Sequence, residues 1–538
     1  MRNSSEEEIE MQYTGKSVVH AYPNSKSKSD YSSQAKNAAL GDNGEDLNSV
    51  VRIRRLFSFA QIFAFSLTYM CVWESMNGSM VFALYNGGPQ TFAWSIVICY
   101  FGALMQSASI AEMASTVPIA GAQYHWTYVL APSNIRRFTT WMQGWMTWFG
   151  WVSLLAGTTN ITVLLLQNMA FLNNPNYVPE QWHVTLMMIA MLTLFGVINS
   201  NGYTFALVPW LELVAGVLHI GLFVLWMCVL LVLGTRHTGT FMFTHFEVWS
   251  GWNNDFVAWN LGMLTCVWAL TGFDGAVHMA EEVKSAKQAV PRAIFWSIAL
   301  NGVLAYSMVL AILSSMGPLD EELLFSTFPA SLVLLRCTGS LRATTAMLTG
   351  LFIVSCCSVL ACIASVSRLT WAWARDGGIP RWFAYVHPTH LVPIRAIWLG
   401  LTVVMLLSLL NIGSTTAFGA IVALASMALY FSYAIALFCM LYARYQSTHG
   451  GQSLVLGQWN LGRYGVYINI YSLFYTLYVM IFLPFPSTIP VDAVNMNYCG
   501  PIFLFVFLFA MALWFFKAQR SWPGPSVAII NYVKQQED

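Results

Sequence analysis

From Leu56 onward the chain alternates long apolar stretches with short polar breaks. A helix of about 20 apolar residues crosses a hydrocarbon core of about 30 Å. Twelve stretches of that kind are predicted, at approximately 57 to 84, 90 to 112, 138 to 171, 182 to 200, 205 to 234, 256 to 282, 293 to 316, 343 to 374, 395 to 412, 414 to 443, 464 to 486 and 499 to 517. Several are too long for strands and lack barrel-type alternation, so helices are the expected spanning form: they satisfy their backbone groups internally where no water reaches. The expected fold class is an all-α polytopic membrane protein.

Composition points the same way. Residues from AVILMFWYC make up 57% of the 538 and charged residues 9%, against about 25% charged in soluble domains. With 25 Lys and Arg against 24 Asp and Glu, the net charge is +1, so there is no basic field for nucleic acid. The few charges are sorted. Residues 1 to 55 are expected to be a disordered tail, rich in Ser, Asn, Glu and Lys. The tail has no apolar signal-peptide core, and its run Glu6, Glu7, Glu8 argues against a mitochondrial presequence. With the N-terminus in the cytoplasm, the inner side receives most Lys and Arg, including Arg136, Arg137, Arg292, Arg368, Arg375 and Arg444. The outer side keeps Arg236, Arg336 and Arg342, which places both termini inside. Membrane lipid is therefore the expected surroundings. Serines such as Ser25 and lysines such as Lys26 in the tail suit kinase and ubiquitin-ligase targeting; a solvated tail without such a role is the alternative. The ten cysteines show no metal-binding spacing, so no metal site is expected, although Cys337 and Cys499 could form a disulfide near the outer side. There is no GxxxxGK[ST] loop for ATP coupling and no HExxH or GxSxG, so no enzymatic activity and no cofactor are expected.

Two spans carry interruptions. The first contains Trp73, Glu74, Ser75, Met76, Asn77, Gly78 and Ser79 toward its middle; the sixth contains Thr271, Gly272, Phe273, Asp274 and Gly275. Breaks in helices one and six of a chain whose first ten spans divide five plus five are the pattern of inverted repeats with discontinuous helices at a midplane site. Glycine for close helix contact explains Gly272 and Gly275. It does not explain Glu74 and Asp274, because an acid in hydrocarbon costs several kcal/mol unless paired or functional.

Four stretches carry a family resemblance: AEMASTVPIAGAQYHW (Ala111 to Trp126), GFDGAVHMAEEVKSAKQAVPRAI (Gly272 to Ile294), SRLTWAWARDGGIPRW (Ser367 to Trp382) and NGGP (Asn86 to Pro89). In this order they resemble the amino acid-polyamine-organocation superfamily, and most nearly the fungal amino acid/choline/GABA permeases. The resemblance covers roughly residues 50 to 520. It implies a LeuT-like core of two inverted halves over residues 56 to 443, two peripheral helices over 444 to 517 and a cytoplasmic tail over 518 to 538. It also implies secondary transport of a small nitrogenous solute, usually driven by protons, across a fungal plasma membrane. Many members hold a substrate carboxylate with a Gly-x-Gly at the first break; here Trp73-Glu74-Ser75 stands near that position.

That departure favours a cationic ligand. Glu74 supplies charge and Trp73 an aromatic face; Phe273 would complete a cage and Asp274 add a second anion, while Ser75, Asn77, Thr271 and freed backbone read the remainder. Choline, GABA, a polyamine and a basic amino acid all qualify. A purely structural salt bridge at Glu74 stays open as the alternative. Trp148 lies on one helical face with Trp141 and Trp145, lining the path or simply packing. Candidates for moving a proton are Glu74, Glu212, His219, Asp274 and His278. Glu112 and Arg368 are candidates for a paired inner gate. A transporter-like nutrient sensor, and a carrier of a secondary-metabolite precursor or product, are the alternative roles.

Overall fold

The computed structural model describes residues 53–326, 328–451 and 453–535. The expected N-terminal tail, with its candidate modification sites, lies outside them except for residues 53–55. In chain order the helices that matter below are α1 (Phe59–Met70), α2 (Val72–Tyr85), α3 (Gly88–Thr116), α4 (Gln123–Leu130), α5 (Arg136–Asn173), α6 (Gln181–Ser200) and α7 (Val208–Leu233). They are followed by α8 (Asp255–Ala269), α9 (Gly275–His278), α10 (Ala286–Ser315), α11 (Pro329–Thr338), α12 (Leu341–Arg375), α13 (Ile394–Ser408), α14 (Thr415–Thr448), α15 (Gly465–Phe482), α16 (Cys499–Leu513) and α17 (Val527–Gln535). Among the described residues, 10 helices are long and apolar enough to cross a membrane. The first and sixth of the twelve expected spans are the interrupted ones, and neither half of either reaches that length alone.

The first interruption is at Cys71, whose left-handed backbone (φ 42°, ψ 50°) ends α1 and starts α2. An L-residue holds this conformation at a cost of about 1 to 2 kcal/mol, so the surroundings must impose it. The second runs from Leu270 to Asp274, with Gly272 at φ +88°. A side chain at Gly272 would meet the Tyr69 hydroxyl at 2.3 Å, so glycine is required there for approach as well as for conformation.

The two halves match in order. Each starts with an interrupted helix, continues through a long helix, and inserts a short helix (α4 or α11) before its third span. Isolated backbone pairings tie the ends of the broken helices: Phe57 N donates to Glu282 O at 3.0 Å and Lys284 N to Phe57 O at 2.9 Å, beside a parallel bridge between Phe57 and Val283.

Tryptophans cement the remaining helices. Trp141 of α5 lies 5.6 Å from Trp373 of α12 and 5.1 Å from Trp522, and Trp373 lies 5.8 Å from Trp522. The C-terminal segment, expected as a tail, is therefore packed: Trp522 Nε1 donates to Asp376 O at 2.7 Å and Arg137 to Gln519 O at 3.2 Å. Cys337 and Cys499 are both free thiols, which corrects the suggested disulfide; Cys337 Sγ instead donates to Ser315 O at 3.3 Å.

Close packing makes one glycine a sensitive reporter of this frame. A Cβ at Gly144 would lie 2.5 Å from the Trp373 ring, whereas one at Gly221 meets nothing within 4 Å. Gly144→Ala is expected to destabilise the fold by about 1 to 3 kcal/mol, read as a lower thermal midpoint in detergent, with Gly221→Ala unchanged or slightly raised.

Candidate functional site

The two breaks meet each other. Tyr69, next to last in α1, donates its hydroxyl to the Gly272 carbonyl, and its ring stacks on Trp151 of α5 at 5.7 Å. Ser358 of α12 donates to Tyr69 O at 2.5 Å, and Asn301 of α10 to Leu67 O at 3.1 Å. Side chains thus occupy carbonyls around the interruption, as hydrocarbon requires.

A pocket with about 50 Å3 of free volume sits at this junction. The first break contributes Tyr69, Met70, Cys71, Glu74 and Ser75, and the second Trp268, Ala269 and Thr271. Walls come from α5 (Leu154, Thr158, Ile161, Thr162, Leu165) and from α12 (Leu351, Ser355, Ser358), while Phe328, just before α11, closes one side.

Glu74 is the one acid among these lining residues. Its Oε1 lies 2.6 Å from His219 Nδ1 on α7, in a pair whose side chains are 2% and 0% exposed. Glu74 Oε2 and His219 Nε2 are buried and have no hydrogen-bond partner in the protein. Glu212, expected to share a face with His219, accepts a hydrogen bond from Thr68 Oγ1 at 2.7 Å, so both α7 groups point at the first broken helix.

Other expected ligand residues have structural employment. Trp73 is fully buried, packs on His219, Phe223 and Trp226 of α7 at 5.8 to 6.1 Å and is not among the residues lining the pocket. The aromatic faces lining the pocket with Glu74 are Tyr69, Trp268 and Phe328. Asn77 bonds back to Trp73 O at 3.0 Å. Gly78 lies inside α2 rather than at the break, and its missing Cβ admits the Phe328 ring, which would stand 3.3 Å away. Phe273 stacks on Tyr433 at 5.1 Å, and Gly275 lets Trp151 and Tyr69 approach. Trp148 Nε1 donates to Thr370 Oγ1 at 3.0 Å, so the tryptophan stripe is packing.

Asp274 is corrected from second ligand anion to keystone. It accepts hydrogen bonds from Tyr433 OH at 2.5 Å, from Trp151 Nε1 at 3.1 Å and from the Gln123 amide. His278 Nε2 lies 3.4 Å from it, and His278 Nδ1 donates to Ala120 O at 2.7 Å. With both oxygens taken, Asp274 binds the second break to α4 and α14.

The suggested gate is also corrected. Arg368 pairs with Glu282 at 2.7 Å, both side chains 1% exposed, while Glu112 pairs with Arg444 and accepts from Leu461 N at 2.8 Å. The body of α3 packs on α10 and α15, and at its end Glu112 meets Arg444 of α14, whereas Arg368 reaches the segment after α9. A second pair, Arg375 to Glu281 at 3.1 Å, lies beside it. These pairs are ten residues or more beyond Ser358 along α12, about 15 Å from the pocket wall, at the end that carries the arginines.

Tyr69, Cys71, Trp268 and Phe328 were not anticipated. Tyr69 and Cys71 directly precede Glu74 in sequence, but a cysteine gives no warning of left-handed backbone as glycine would. Among the described residues no group of three His, Cys, Asp or Glu is placed to hold a metal ion.

The sequence model of the amino acid permease family matches residues 57–510. The chain belongs to that family, within the amino acid-polyamine-organocation superfamily. The permease is 30% identical over 483 residues to amino-acid permease 2 of Neurospora crassa, covering 88% of this chain and 86% of that one. It is 28% identical over 478 residues to a choline transporter of Saccharomyces cerevisiae, covering 87% and 83%. It is a multi-pass membrane transporter rather than an enzyme.

Breaking one buried pair tests how the arginine end is held. Arg368→Met leaves Glu282 uncompensated and is expected to cost about 3 to 5 kcal/mol, whereas the double variant Arg368→Met/Glu282→Leu recovers most of that loss in thermal midpoint.

Proposed function

We propose that the permease imports a small solute bearing an ammonium or quaternary ammonium group, an amino acid, GABA or choline, by proton symport with alternating access. The observation that supports this most is the state of Glu74: it lines the pocket, one oxygen is held by His219, and the other has no protein partner. Tyr69, Trp268 and Phe328 supply π faces in the same pocket, and a cation near both aromatic rings and a carboxylate gains from each. The printed names of relatives include both an amino-acid permease and a choline transporter, which fits such a ligand.

In this reading Glu74 accepts the substrate cation and His219, with its free Nε2, takes the coupled proton. The loaded site then carries two cations around one carboxylate, so each weakens the hold of Glu74 on the other, and both leave once water reaches the opened site. The pocket's free volume equals only a few waters, so entry of a solute the size of choline requires Phe328 and its neighbours to move. Opening the arginine end requires Arg368 and Arg375 to leave Glu282 and Glu281. In the same reading that end, which carries the excess of Lys and Arg, faces the cytoplasm, with both termini inside and the permease in a fungal plasma membrane.

Uptake of a labelled amine in transport-deficient cells should saturate and should be abolished by a protonophore; dependence on external sodium instead would overturn the coupling. Glu74→Gln should reduce uptake of cationic solutes by about 10-fold or more, the worth of one hydrogen bond to a charge. His219→Gln should retain exchange of bound substrate but lose proton-driven accumulation. Unchanged kinetics in Glu74→Gln would return that residue to a structural role, and binding without flux in proteoliposomes would mark a sensor.

A further inference from the structure

A second cavity, of about 300 Å3, opens at the arginine-bearing end and shares no lining residue with the first. Its walls come from the ends of α3, α4 and α14, the start of α5, the loop at 453–456 and α17. Two cations line it, Arg136 and Lys534, and no acid does. Neither takes part in an ion pair among the described residues. The Arg136 guanidinium lies 5.5 Å above the Tyr128 ring, and its Nε is buried without a hydrogen-bond partner.

Arg136 and Lys534 in a cavity with no acid among its described lining residues call for an anion. The remaining wall narrows the class. Met113, Val129, Leu130 and Leu456 are apolar, and a small hydrated anion gains nothing from them. The cavity also lies where several spanning helices end, at the depth of the headgroup layer. We propose that it holds the phosphate headgroup of an anionic membrane lipid, gripped between Arg136 at the start of α5 and Lys534 on α17, with the lipid's apolar part against the aliphatic wall. Arg offers a planar fork of donors to phosphate and Lys a point charge, so the two together suit a phosphodiester. Basic pockets between helices at the cytoplasmic leaflet bind such headgroups in general. Because Lys534 belongs to the C-terminal helix, the lipid would join that helix to the transmembrane body. The inference does not rest on the transported solute.

The full chain in neutral detergent is titrated with dioleoylphosphatidylserine or dioleoylphosphatidylcholine, and bound lipid is counted by native mass spectrometry. Two cations near a headgroup predict a preference for the anionic lipid of about 30-fold, falling below about threefold in Arg136→Gln/Lys534→Gln. Should the double variant not yield folded protein, Lys534→Gln alone must still cut the preference by at least about threefold. An unchanged preference in the variants overturns the proposal. So does displacement of the lipid by millimolar inorganic phosphate, which would mark a site for soluble anions. A chain ending at Gln535 should bind as the full chain does; if it alone shows the preference, the cations serve the chain's own terminal acids and the lipid assignment fails.

Discussion

Backbone polar groups cannot be left unpaired in hydrocarbon, and this permease breaks two helices there. Everything around the breaks follows from that constraint. Ser358 donates to Tyr69 O, Asn301 to Leu67 O, Tyr69 to Gly272 O, Thr271 to Val267 O at 2.6 Å and Ser365 to Gly275 O at 3.2 Å. Side chains of α10 and α12 thus do what continuous helix would otherwise do. Cys71 turns the chain between α1 and α2 in left-handed backbone, and three residues on Glu74 lines the pocket and reaches His219 of α7. The pocket left at the junction is lined by hydroxyls, aromatic rings and one carboxylate.

Two buried acids show how environment separates roles that composition makes look alike. Asp274 and Glu74 both sit in interrupted apolar helices. Three hydrogen-bond donors from three other elements saturate Asp274, so its charge stabilises a joint between helices. Glu74 has one partner, which itself can gain or lose a proton. An acid with both oxygens occupied is held in place; a half-satisfied one can answer to a ligand.

What could be read from the chain divides along the same line. Spans were legible because twenty apolar residues have few other uses, and the second break was legible because Gly272 and Gly275 flank an acid. The first break was misplaced by several residues. Gly78 looked like its cause but serves the approach of Phe328, while Cys71, the residue with the unusual backbone, carries no local signature. Pairing of distant charges was not legible at all: Glu112 and Arg368 lie near the same end, yet which arginine an acid meets depends on helix packing, and the end of α3 brings Glu112 to Arg444 of α14. The tryptophan face of α5 had two meanings at one spacing, and only the rings of Trp373 and Trp522 opposite it decide for packing.

The contrast between that aromatic packing and the ion pairs has a mechanical meaning. Between α5, α12 and the C-terminal segment, contact is made by interlocked indole rings, whose dispersion energy is spread over many atoms and falls off with any small displacement. Between α12 and the segment after α9, the buried polar contact is concentrated in Arg368 with Glu282 and Arg375 with Glu281. Such bonds let go at a few points and can be remade elsewhere. The two sides of α12 are thus joined in different ways, by interlocked rings toward α5 and the C-terminal segment and by point charges toward the segment after α9.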